Sequence, residues 1–334
     1  MRNRLLHTTL VTLLLLIAIA ILHGCPAGDK RSPQSPPIKL SLAVHPAPYS
    51  GLIAIAQDQG YFEAAGLAVS MGLYPSGRAA VDAVCSGQAQ VATVSDVTFA
   101  EKALEDPSLR VLASIGSTTA SRIVARKDRG IYTPADLKGK RVGFSTGTTT
   151  EYFLYAFLMT EDIGPTDIMA VNIPAERLAE AVVSGEVDAV CAFAPDAFAA
   201  RKRLGANATL WDPQNNLAYH WLLAARQAPT GASEPLRRLM EALIEAETFA
   251  VDNGAGAQAI LARQWGFDPA FLKETWPGTR ISVSFGQSIV ISLDNFFQWH
   301  ARKTGGNPIS VDVLEFLDTG ALDAAAPQLV NLFR

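Results

Sequence analysis

Strand-like and helix-like segments alternate along most of this chain, and this alternation limits the possible folds more than any other feature. Apolar runs such as "IKLSLAV", "AQVATV" and "RVLASIG" are separated by segments with the apolar spacing of helices. Strands that alternate with helices are joined by crossover connections and pair mainly in parallel. The sequence therefore predicts an α/β fold with parallel-type sheets.

One helix–strand unit occurs in both halves of the chain. "AVCSGQAQVATV" matches "AVVSGEVDAVCA" in its helix, its Ser-Gly stop and its following strand. We predict that Gly87 and Gly185 end the two helices, each just after a serine, because glycine tolerates the left-handed conformation found there. We interpret the chain as two lobes of similar winding, with a chance similarity of one unit as the alternative.

The region after Glu234 is mostly helical and has too few strands for a third sheet, so we expect it to pack on the first lobe. The chain then crosses between the lobes twice, near residues 121–128 and 219–227, and these crossings form a two-stranded hinge. With 334 residues, 49% of them hydrophobic, the chain can build two lobes of ordinary domain size. The predicted limits are 39–124 and 226–334 for lobe 1, and 125–225 for lobe 2.

The N-terminal region has the pattern of a leader followed by a tether. Arg2 and Arg4 precede an apolar run that is too short for a membrane span but suits the core of a signal peptide. The run ends in "LHGC", which resembles a bacterial lipoprotein box whose cysteine, here Cys25, carries lipid. We predict a signal peptide over 1–24, a Pro- and Ser-rich tether over 25–38, and a lipid-anchored protein on the outer side of the cell membrane. An uncleaved anchor helix is the alternative.

Charge and cysteine content argue against several classes of protein. The formal net charge is -4 and no basic stripe is visible, so we do not expect nucleic-acid binding. The three cysteines form no CxxC or Cys/His group with metal-ligand spacing, and the P-loop pattern is absent, so we expect no metal and no cofactor. No Ser/His/Asp order with supporting motifs appears. Cys85 and Cys191 lie in apolar contexts and are expected to be buried free thiols.

Three predicted strand-to-helix turns are polar: "HPAPYSG", "YPSGR" and "STGTTTEY". In open α/β sheets, ligands bind beyond the carboxyl ends of the strands, where loops lead into helices. Helix N-termini present unpaired N–H groups and a partial positive charge, which suit anionic oxygens. The candidate ligand-binding residues in these turns, and after the strand "VATV", are Tyr49, Ser50, Ser76, Gly77, Arg78, Ser95, Asp96, Thr146, Gly147, Thr148, Thr149, Thr150 and Glu151.

Each candidate in the first lobe has a structural alternative. Ser76 is also a natural helix N-cap beside a solvated Arg78, and Tyr49 can be a packing residue. Asp96 either holds an amine of the ligand or caps the next helix. The sequence leaves these alternatives open.

The threonine cluster of the second lobe is the strongest candidate. One threonine suffices to cap a helix, and threonines are poor helix residues, so four hydroxyl groups around Gly147 exceed what capping needs. Glu151 lies in the first helical turn, where its charge suits the helix dipole. If Glu151 instead faces the ligand, it requires a positively charged or hydrogen-bond-donating group there.

Four phrases together resemble one protein family. In order and spacing, "GYFEAAGLAV", "SGQAQVATVSD", "TPADLKGKRVGFSTGTTTEYFL" and "VVSGEVDAVCAFAPDAF" are similar to the nitrate/taurine/alkanesulfonate and thiamine-precursor (NMT1-like) substrate-binding proteins of ABC importers. The resemblance implies a hinged, two-lobed periplasmic-binding-protein fold of type II, with the ligand between the lobes. The turn "AFAPD" corresponds to a family position that often contributes an aromatic and an acid, here Phe193 and Asp196.

The resemblance implies a lipid-anchored, extracytoplasmic solute-binding protein that performs no chemistry. We expect a monomer that closes on a small polar ligand and delivers it to the permease subunits of an ABC importer. One arginine among several carboxylates suggests a ligand that is not purely anionic, such as a sulfonate of the taurine type or a pyrimidine precursor. The alternatives are an enzyme of pyrimidine- or menaquinone-precursor metabolism on the same fold, and a ligand-sensing receptor subunit.

Overall fold

The computed structural model describes residues 36–213, 218–227, 233–305 and 311–332. The predicted signal peptide, Cys25 and the tether up to residue 35 lie outside these described residues. Within them, no helix combines the length and the apolar character needed to cross a membrane.

Twelve strands are present in the described part of the chain. In chain order they are β1 (Ile38–Val44), β2 (Leu67–Leu73), β3 (Val91–Ser95), β4 (Leu109–Thr118), β5 (Arg122–Arg126), β6 (Arg141–Phe144), β7 (Met169–Asn172), β8 (Ala189–Ala192), β9 (Ala208–Trp211), β10 (Tyr219–Arg226), β11 (Thr279–Gly286) and β12 (Val330–Asn331).

Most α-helices of the described residues alternate with strands up to β9, although β4, β5 and β6 follow one another without an α-helix, and helices dominate after β10. They are α1 (Gly51–Asp58), α2 (Tyr61–Ala64), α3 (Gly77–Cys85), α4 (Asp96–Glu105), α5 (Thr149–Thr160), α6 (Leu178–Ser184), α7 (Ala194–Leu204), α8 (Ser233–Asp252), α9 (Gly254–Trp265), α10 (Pro269–Thr275), α11 (Gln287–Lys303) and α12 (Gly320–Ala325).

The strands form two sheets, which confirms the predicted α/β fold with two lobes. The first sheet has seven strands in the order β12-β11-β4-β10-β3-β1-β2, and the second has five in the order β7-β6-β8-β5-β9. Lobe 1 is built on the seven-stranded sheet, and lobe 2 on the five-stranded sheet. The C-terminal region adds β11 and β12 to the sheet of lobe 1.

Both sheets are mixed, so the expectation of parallel-type sheets holds only for part of each. The strands β2, β1 and β3 are parallel in lobe 1, as are β7, β6 and β8 in lobe 2. By contrast, β10 is antiparallel to both of its neighbours, and so is β5. Each of these two strands follows a crossing between the lobes, and therefore enters its sheet in the opposite direction.

The crossings lie outside the strands to which the sequence analysis assigns them. The segment 219–227 was expected to cross, with lobe 2 extending to residue 225, whereas Tyr219–Arg226 is an inner strand of the lobe 1 sheet. Likewise, Arg122–Arg126 is an inner strand of the lobe 2 sheet. We place the first crossing between β4 and β5, and the second between β9 and β10.

The repeated helix–strand unit is present as α3–β3 and α6–β8. Gly87 follows the end of α3 with a φ of 76°, and Gly185 caps α6 with a φ of 84°. Both values lie in the left-handed region, which confirms the predicted helix ends. In each lobe the unit delivers a strand whose carboxyl end leads into the next helix, α4 or α7.

Candidate functional site

The turns at the carboxyl ends of the strands in the two lobes face each other. The His45 ring of lobe 1 lies 6.1 Å from the Phe193 ring of lobe 2, measured between centroids. The Phe153 ring on α5 lies 5.8 Å from that of Tyr219 on β10. The predicted ligand-binding turns are therefore brought together between the lobes.

Five rings form an aromatic cluster at this place, which we define as His45, Tyr49, Phe193, Tyr219 and Trp221. The Tyr49 ring lies 4.7 Å from that of Trp221 and 5.7 Å from that of Tyr219. The His45 ring is 5.7 Å from that of Trp221. Each of the five residues is at most 8% exposed. The region between the lobes is thus closed and aromatic.

His45 is held as a neutral ring with a buried acceptor atom. Its Nδ1 lies 3.2 Å from the carbonyl oxygen of Tyr74, to which the Nδ1–H donates. Burial lowers the pKa of His45 to about 4. In this tautomer Nε2 is a hydrogen-bond acceptor, and it has no partner among the described residues.

The indole N–H of Trp221 and the hydroxyl of Thr149 are also buried without a hydrogen-bond partner in the described part of the chain. Buried polar groups are normally paired, because an unpaired group costs about 1–3 kcal/mol. A bound polar ligand is one way to pair them.

The position of Thr149 on α5 directs it towards the aromatic cluster. Thr149 and Phe153 are four residues apart on the helix and therefore share a face. Phe153 contacts Tyr219 of the cluster. Thr149 is 1% exposed, so its hydroxyl is buried on the same side.

The other threonines of the cluster hold the turn together. Thr148 is the N-cap of α5 and accepts from the backbone N–H of Thr150 at 3.2 Å. Its hydroxyl also donates to the carbonyl oxygen of Ser145 at 2.7 Å and lies 2.9 Å from the Thr150 hydroxyl. The Thr150 hydroxyl accepts from the N–H of Ser145. Thr146 is exposed, and its N–H donates to Asn172.

Gly147 is where the two lobes approach most closely in this turn. Its φ of 70° lies in the left-handed region, and a side chain built on it would collide with Nη1 of Arg78. Arg78 belongs to the first turn of α3 in lobe 1. Its Nη2 lies 3.4 Å from Oε1 of Glu105. A guanidinium group of one lobe thus lies against the N-terminal turn of a helix in the other.

Glu151 is engaged by the protein itself. Its Oε2 accepts from the N–H of Gly147 at 2.8 Å, and Nζ of Lys303 lies 2.9 Å from its carboxylate. Lys303 also lies 3.6 Å from Oε1 of Glu101. Because α11 supplies the positive partner, Glu151 in this arrangement does not require a cationic group on a ligand.

The serine candidates of lobe 1 make hydrogen bonds that stabilise the protein's own turns and helix ends. Ser76 caps α3 by accepting from Ala79, and Ser95 caps α4 by accepting from Thr98, each at 3.1 Å. The Ser50 hydroxyl donates to the carbonyl oxygen of His45 at 2.9 Å. These serines fix the turns on which the ring and arginine side chains are carried.

Asp96 is a fully buried carboxylate that links three elements. Its oxygen atoms accept from the N–H groups of Val97 and His220, and from the hydroxyl of Ser292. Burial raises its pKa, which the hydrogen bonds partly offset. Asp96 therefore ties α4 to β10 and α11, and its hydrogen bonds are directed to the protein.

Gly77 allows Trp221 to enter the cluster. A Cβ atom on Gly77 would lie 2.9 Å from Cη2 of Trp221 and 3.2 Å from the Cα atom of Val94. Such distances are too short for a side chain to be accommodated without movement. The glycine is thus needed for the close packing of α3 on β3 and on the indole ring.

Asp196 is a carboxylate of the site without a salt bridge among the described residues. It lies in the first turn of α7 and is half-buried, with no basic side chain paired to it in the described chain. Burial raises its pKa to about 7, so the carboxyl is partly protonated near neutral pH. The pKa of Tyr49 is raised mainly by burial and further by the negative charge of Asp196. Asp196 therefore acts electrostatically on a member of the aromatic cluster.

Sequence reasoning missed three members of this site: His45, Tyr219 and Trp221. His45 begins the polar turn "HPAPYSG", so its place after β1 was a usable signal. Tyr219 and Trp221 lie in the segment expected to cross between the lobes. Their role depends on β10 being an inner strand beside β3, which the local sequence does not indicate.

Metal and thiol chemistry find no support in the described residues. No group of three or more His, Cys, Asp or Glu side chains there is arranged to hold a metal ion. Cys85 and Cys191 are free thiols, although Cys85 is half-buried and not fully buried as expected. Burial raises the pKa of both thiols, which disfavours the reactive thiolate.

Comparison with known proteins adds a family match and several similar folds. A family profile described as NMT1/THI5 like matches residues 47–257. The taurine-binding periplasmic protein of Escherichia coli K12 is 30% identical over 141 residues, which are 41% of this chain and 43% of that protein. The match thus spans less than half the length of this curated relative.

Two solved structures represent the range of similar folds. The alkanesulfonate-binding protein SsuA of Xanthomonas axonopodis pv. citri, bound to MOPS, has a TM-score of 0.71 at 20% identity, covering 85% of this chain and 99% of that one. The desulfurization enzyme DSZB has a TM-score of 0.65 at 16% identity, covering 87% and 99%. At these identities the likeness concerns the fold alone.

Proposed function

This chain belongs to the NMT1/THI5-like family, and from that premise we propose that it is a solute-binding protein that encloses a small sulfonate between its lobes. The observation that carries the proposal is the position of Arg78 against Gly147. There a guanidinium group of lobe 1 meets the N-terminal turn of α5 in lobe 2. Both features attract an anionic oxygen cluster, and because they belong to opposite lobes a bound anion favours closure.

We propose further that the ligand carries an amino group, as taurine does. Asp196 has no basic partner among the described side chains, and it lies in the first turn of α7, whose N-cap is Phe193 of the aromatic cluster. A ligand ammonium group supplies the missing positive charge, and aromatic ring faces favour a cation. The taurine-binding relative agrees with this choice.

The unpaired polar atoms of the site can form hydrogen bonds with such a ligand. The hydroxyl of Thr149 and the indole N–H of Trp221 are hydrogen-bond donors, and Nε2 of His45 is an acceptor. A zwitterionic ligand has acceptors at its sulfonate and donors at its ammonium group. Such a ligand satisfies buried donors and acceptors together, which a simple anion cannot.

We propose that the protein works outside the cytoplasmic membrane as a lipid-anchored monomer. Lipidation of Cys25 and the tether would hold it near the permease of an ABC importer, to which it delivers its ligand. The relatives named above as periplasmic or alkanesulfonate-binding proteins support this role. A ligand-sensing receptor subunit remains the alternative output of the same binding event.

An enzymatic role is the second alternative, since a desulfurization enzyme shares the fold. The described residues favour binding over catalysis, because the pKa values of both thiols are raised and His45 has no nucleophile beside it in hydrogen-bond contact. Turnover of a sulfonate or sulfinate by the purified protein would overturn the proposed function.

Titration calorimetry and thermal unfolding with taurine, ethanesulfonate, nitrate and the thiamine pyrimidine test the proposal. We expect taurine to bind most tightly, ethanesulfonate more weakly, and the other two not at all. Arg78→Gln should weaken taurine binding by about tenfold or more, since a hydrogen bond to a charged group contributes about 1.5–3 kcal/mol. Arg203→Gln, which removes an exposed arginine paired with Glu180, is the matched control and should bind like the wild type. Failure of both sulfonates to bind would refute the proposal.

A further inference from the structure

A cavity of about 170 Å³ lies beside the site described above, where α7, the segment after β4 and the end of α10 meet. We call it the junction cavity and define it by Thr119, Arg122, Phe198, Arg201, Glu274 and Thr275. The lining also includes Ala194 of the turn "AFAPD", so the cavity adjoins the proposed sulfonate site, but its charged side chains belong neither to the aromatic cluster nor to the predicted ligand-binding turns. A buried water needs only about 10–15 Å³ of such volume, so the cavity has room for a small molecule.

The lining of the junction cavity comes from both lobes. Arg122 begins β5, and Phe198 and Arg201 lie on α7, all in lobe 2. Glu274 and Thr275 end α10, which packs against α9 on lobe 1. A molecule in this cavity therefore contacts both lobes next to the first crossing.

The charged side chains of the cavity carry an excess of positive charge. Arg122 and Arg201 are opposed by one carboxylate, that of Glu274, which pairs with Nη2 of Arg201. The guanidinium carbon of Arg201 also lies 5.2 Å from the ring centroid of Phe198, which holds the side chain in place. One positive charge at the cavity remains unbalanced.

Arg122 presents the hydrogen-bond donors that such a charge needs. Its Nη1 donates to the carbonyl oxygen atoms of Thr119 at 2.9 Å and Ser121 at 2.7 Å, which fixes the guanidinium plane. Nε and Nη2 have no hydrogen-bond partner among the described residues. These two atoms form the edge of the guanidinium group that binds two oxygen atoms of a carboxylate, sulfonate or phosphate side by side.

We propose that the junction cavity is an oxyanion-binding site, separate from the site between the ligand-binding turns, with the Nε and Nη2 edge of Arg122 as its anchor. Arg201 adds a second positive charge, and Glu274 lowers the net positive charge of the site. The ligand is a single sulfate, phosphate, carboxylate or sulfonate group, inorganic or at the end of a short organic molecule. Because the walls belong to both lobes, a bound oxyanion favours the closed form.

Calorimetric titration of the purified protein with sodium sulfate, and separately with acetate, at low ionic strength tests this site. We expect saturable binding of at least one of the two anions. Comparison of the two titrations shows whether the site prefers an inorganic or an organic oxyanion. Arg122→Gln should weaken it about tenfold or more, because it removes the charged edge. Glu274→Gln should strengthen it, because it frees Arg201 and removes a like charge. The gain expected in Glu274→Gln cannot arise from misfolding, because a misfolded protein loses binding.

Two further variants separate this site from the proposed sulfonate site. Arg177→Gln removes an arginine that pairs with Glu186 away from the cavity and should leave oxyanion binding unchanged. Thr149→Val alters the other site and should also leave it unchanged. Absence of saturable binding, equal binding by Arg122→Gln, or loss in Thr149→Val with retention in Arg122→Gln would each overturn the proposal. The last outcome would leave the proposed function intact.

Discussion

At the scale of single residues, Thr148 and Thr149 show how the hydroxyl groups of one turn divide their contacts. The Thr148 hydroxyl caps α5 and binds the Ser145 carbonyl, so it contributes to the stability of the helix. The Thr149 hydroxyl is buried without a protein partner in the described chain, and Thr149 shares a helix face with Phe153, which contacts Tyr219. We therefore expect a change at Thr148 to affect stability, and a change at Thr149 to affect ligand binding.

Replacing each threonine by valine, which keeps the shape and removes the hydroxyl, tests this division. Thr149→Val should weaken taurine binding by about 1 kcal/mol or more while leaving the free energy of unfolding equal or slightly higher, because an unpaired buried hydroxyl is removed. Thr148→Val should lower the free energy of unfolding by about 1 kcal/mol through loss of the cap. Calorimetry and urea unfolding measure the two effects. Equal behaviour of the two variants in both assays would contradict this assignment.

The pKa of Asp196 leads to a pH dependence that distinguishes amino-sulfonates from simple sulfonates. With a pKa of about 7, the carboxyl is mostly protonated at pH 6 and mostly ionised at pH 8. An ammonium ligand requires the ionised form, so taurine affinity should rise by up to about tenfold between these pH values. The affinity for ethanesulfonate should stay constant or fall, because ionisation of Asp196 adds a negative charge beside it.

Asp196→Asn is the matched variant for this pH dependence. Its taurine affinity should be low at both pH values and nearly independent of pH. The raised pKa also means that the contribution of Asp196 to the free energy of unfolding is greatest below about pH 4 and falls as the pH rises towards 7. A pH-independent taurine affinity in the wild type would exclude Asp196 as the partner of the ammonium group.

At the scale of elements, α5 shows what could be predicted from the sequence and what could not. The strand "RVGF", the turn and the helix after it follow from local pattern, since a threonine cap and a left-handed glycine are short-range features. The partners of that turn are distant in the chain. Arg78 reaches Gly147 from lobe 1, and Lys303 reaches Glu151 from a helix near the C-terminus.

The strand β10 illustrates the same limit in the opposite direction. "YHWLLAAR" is apolar enough to be recognised as a buried strand, but its sheet depends on pairing with β3 and β4 more than 100 residues earlier. The local sequence pattern predicts that a strand is buried, but it does not predict which strand lies next to it. This is why the sequence predicts a crossing at Tyr219 and Trp221, whereas both lie on an inner strand of the lobe 1 sheet.

At the scale of the whole molecule, two sets of contacts join the lobes on either side of the aromatic cluster. On one side, Tyr152 of α5 packs on Phe296 of α11, with ring centroids 4.4 Å apart, beside the ion pair of Glu151 and Lys303. On the other side, Lys202 of α7 pairs with Asp268 at 2.6 Å. The closed arrangement is thus held in part by contacts that need no ligand.

Removing Lys303 tests how much these contacts favour closure. The Glu151 side chain is 4% exposed, so Lys303→Met leaves a buried carboxylate whose one remaining partner among the described residues is the Gly147 N–H. Opening of the lobes returns that carboxylate to water, so the ligand-free variant should shift towards an open form with a larger radius of gyration. Its free energy of unfolding should fall by about 1–3 kcal/mol, less than for a fully buried pair because Lys303 is partly exposed.

Small-angle scattering with and without taurine separates opening from general loss of structure. Because apparent affinity falls in proportion to the closed fraction, Lys303→Met should bind taurine more weakly, yet reach the compact dimensions of the wild type at saturation. Lys138→Met is the control, since it removes an exposed lysine 3.8 Å from Asp167 and should change neither scattering nor affinity. Unchanged dimensions of ligand-free Lys303→Met would mean that the packing of Tyr152 on Phe296, and not the ion pair, holds this side of the molecule closed.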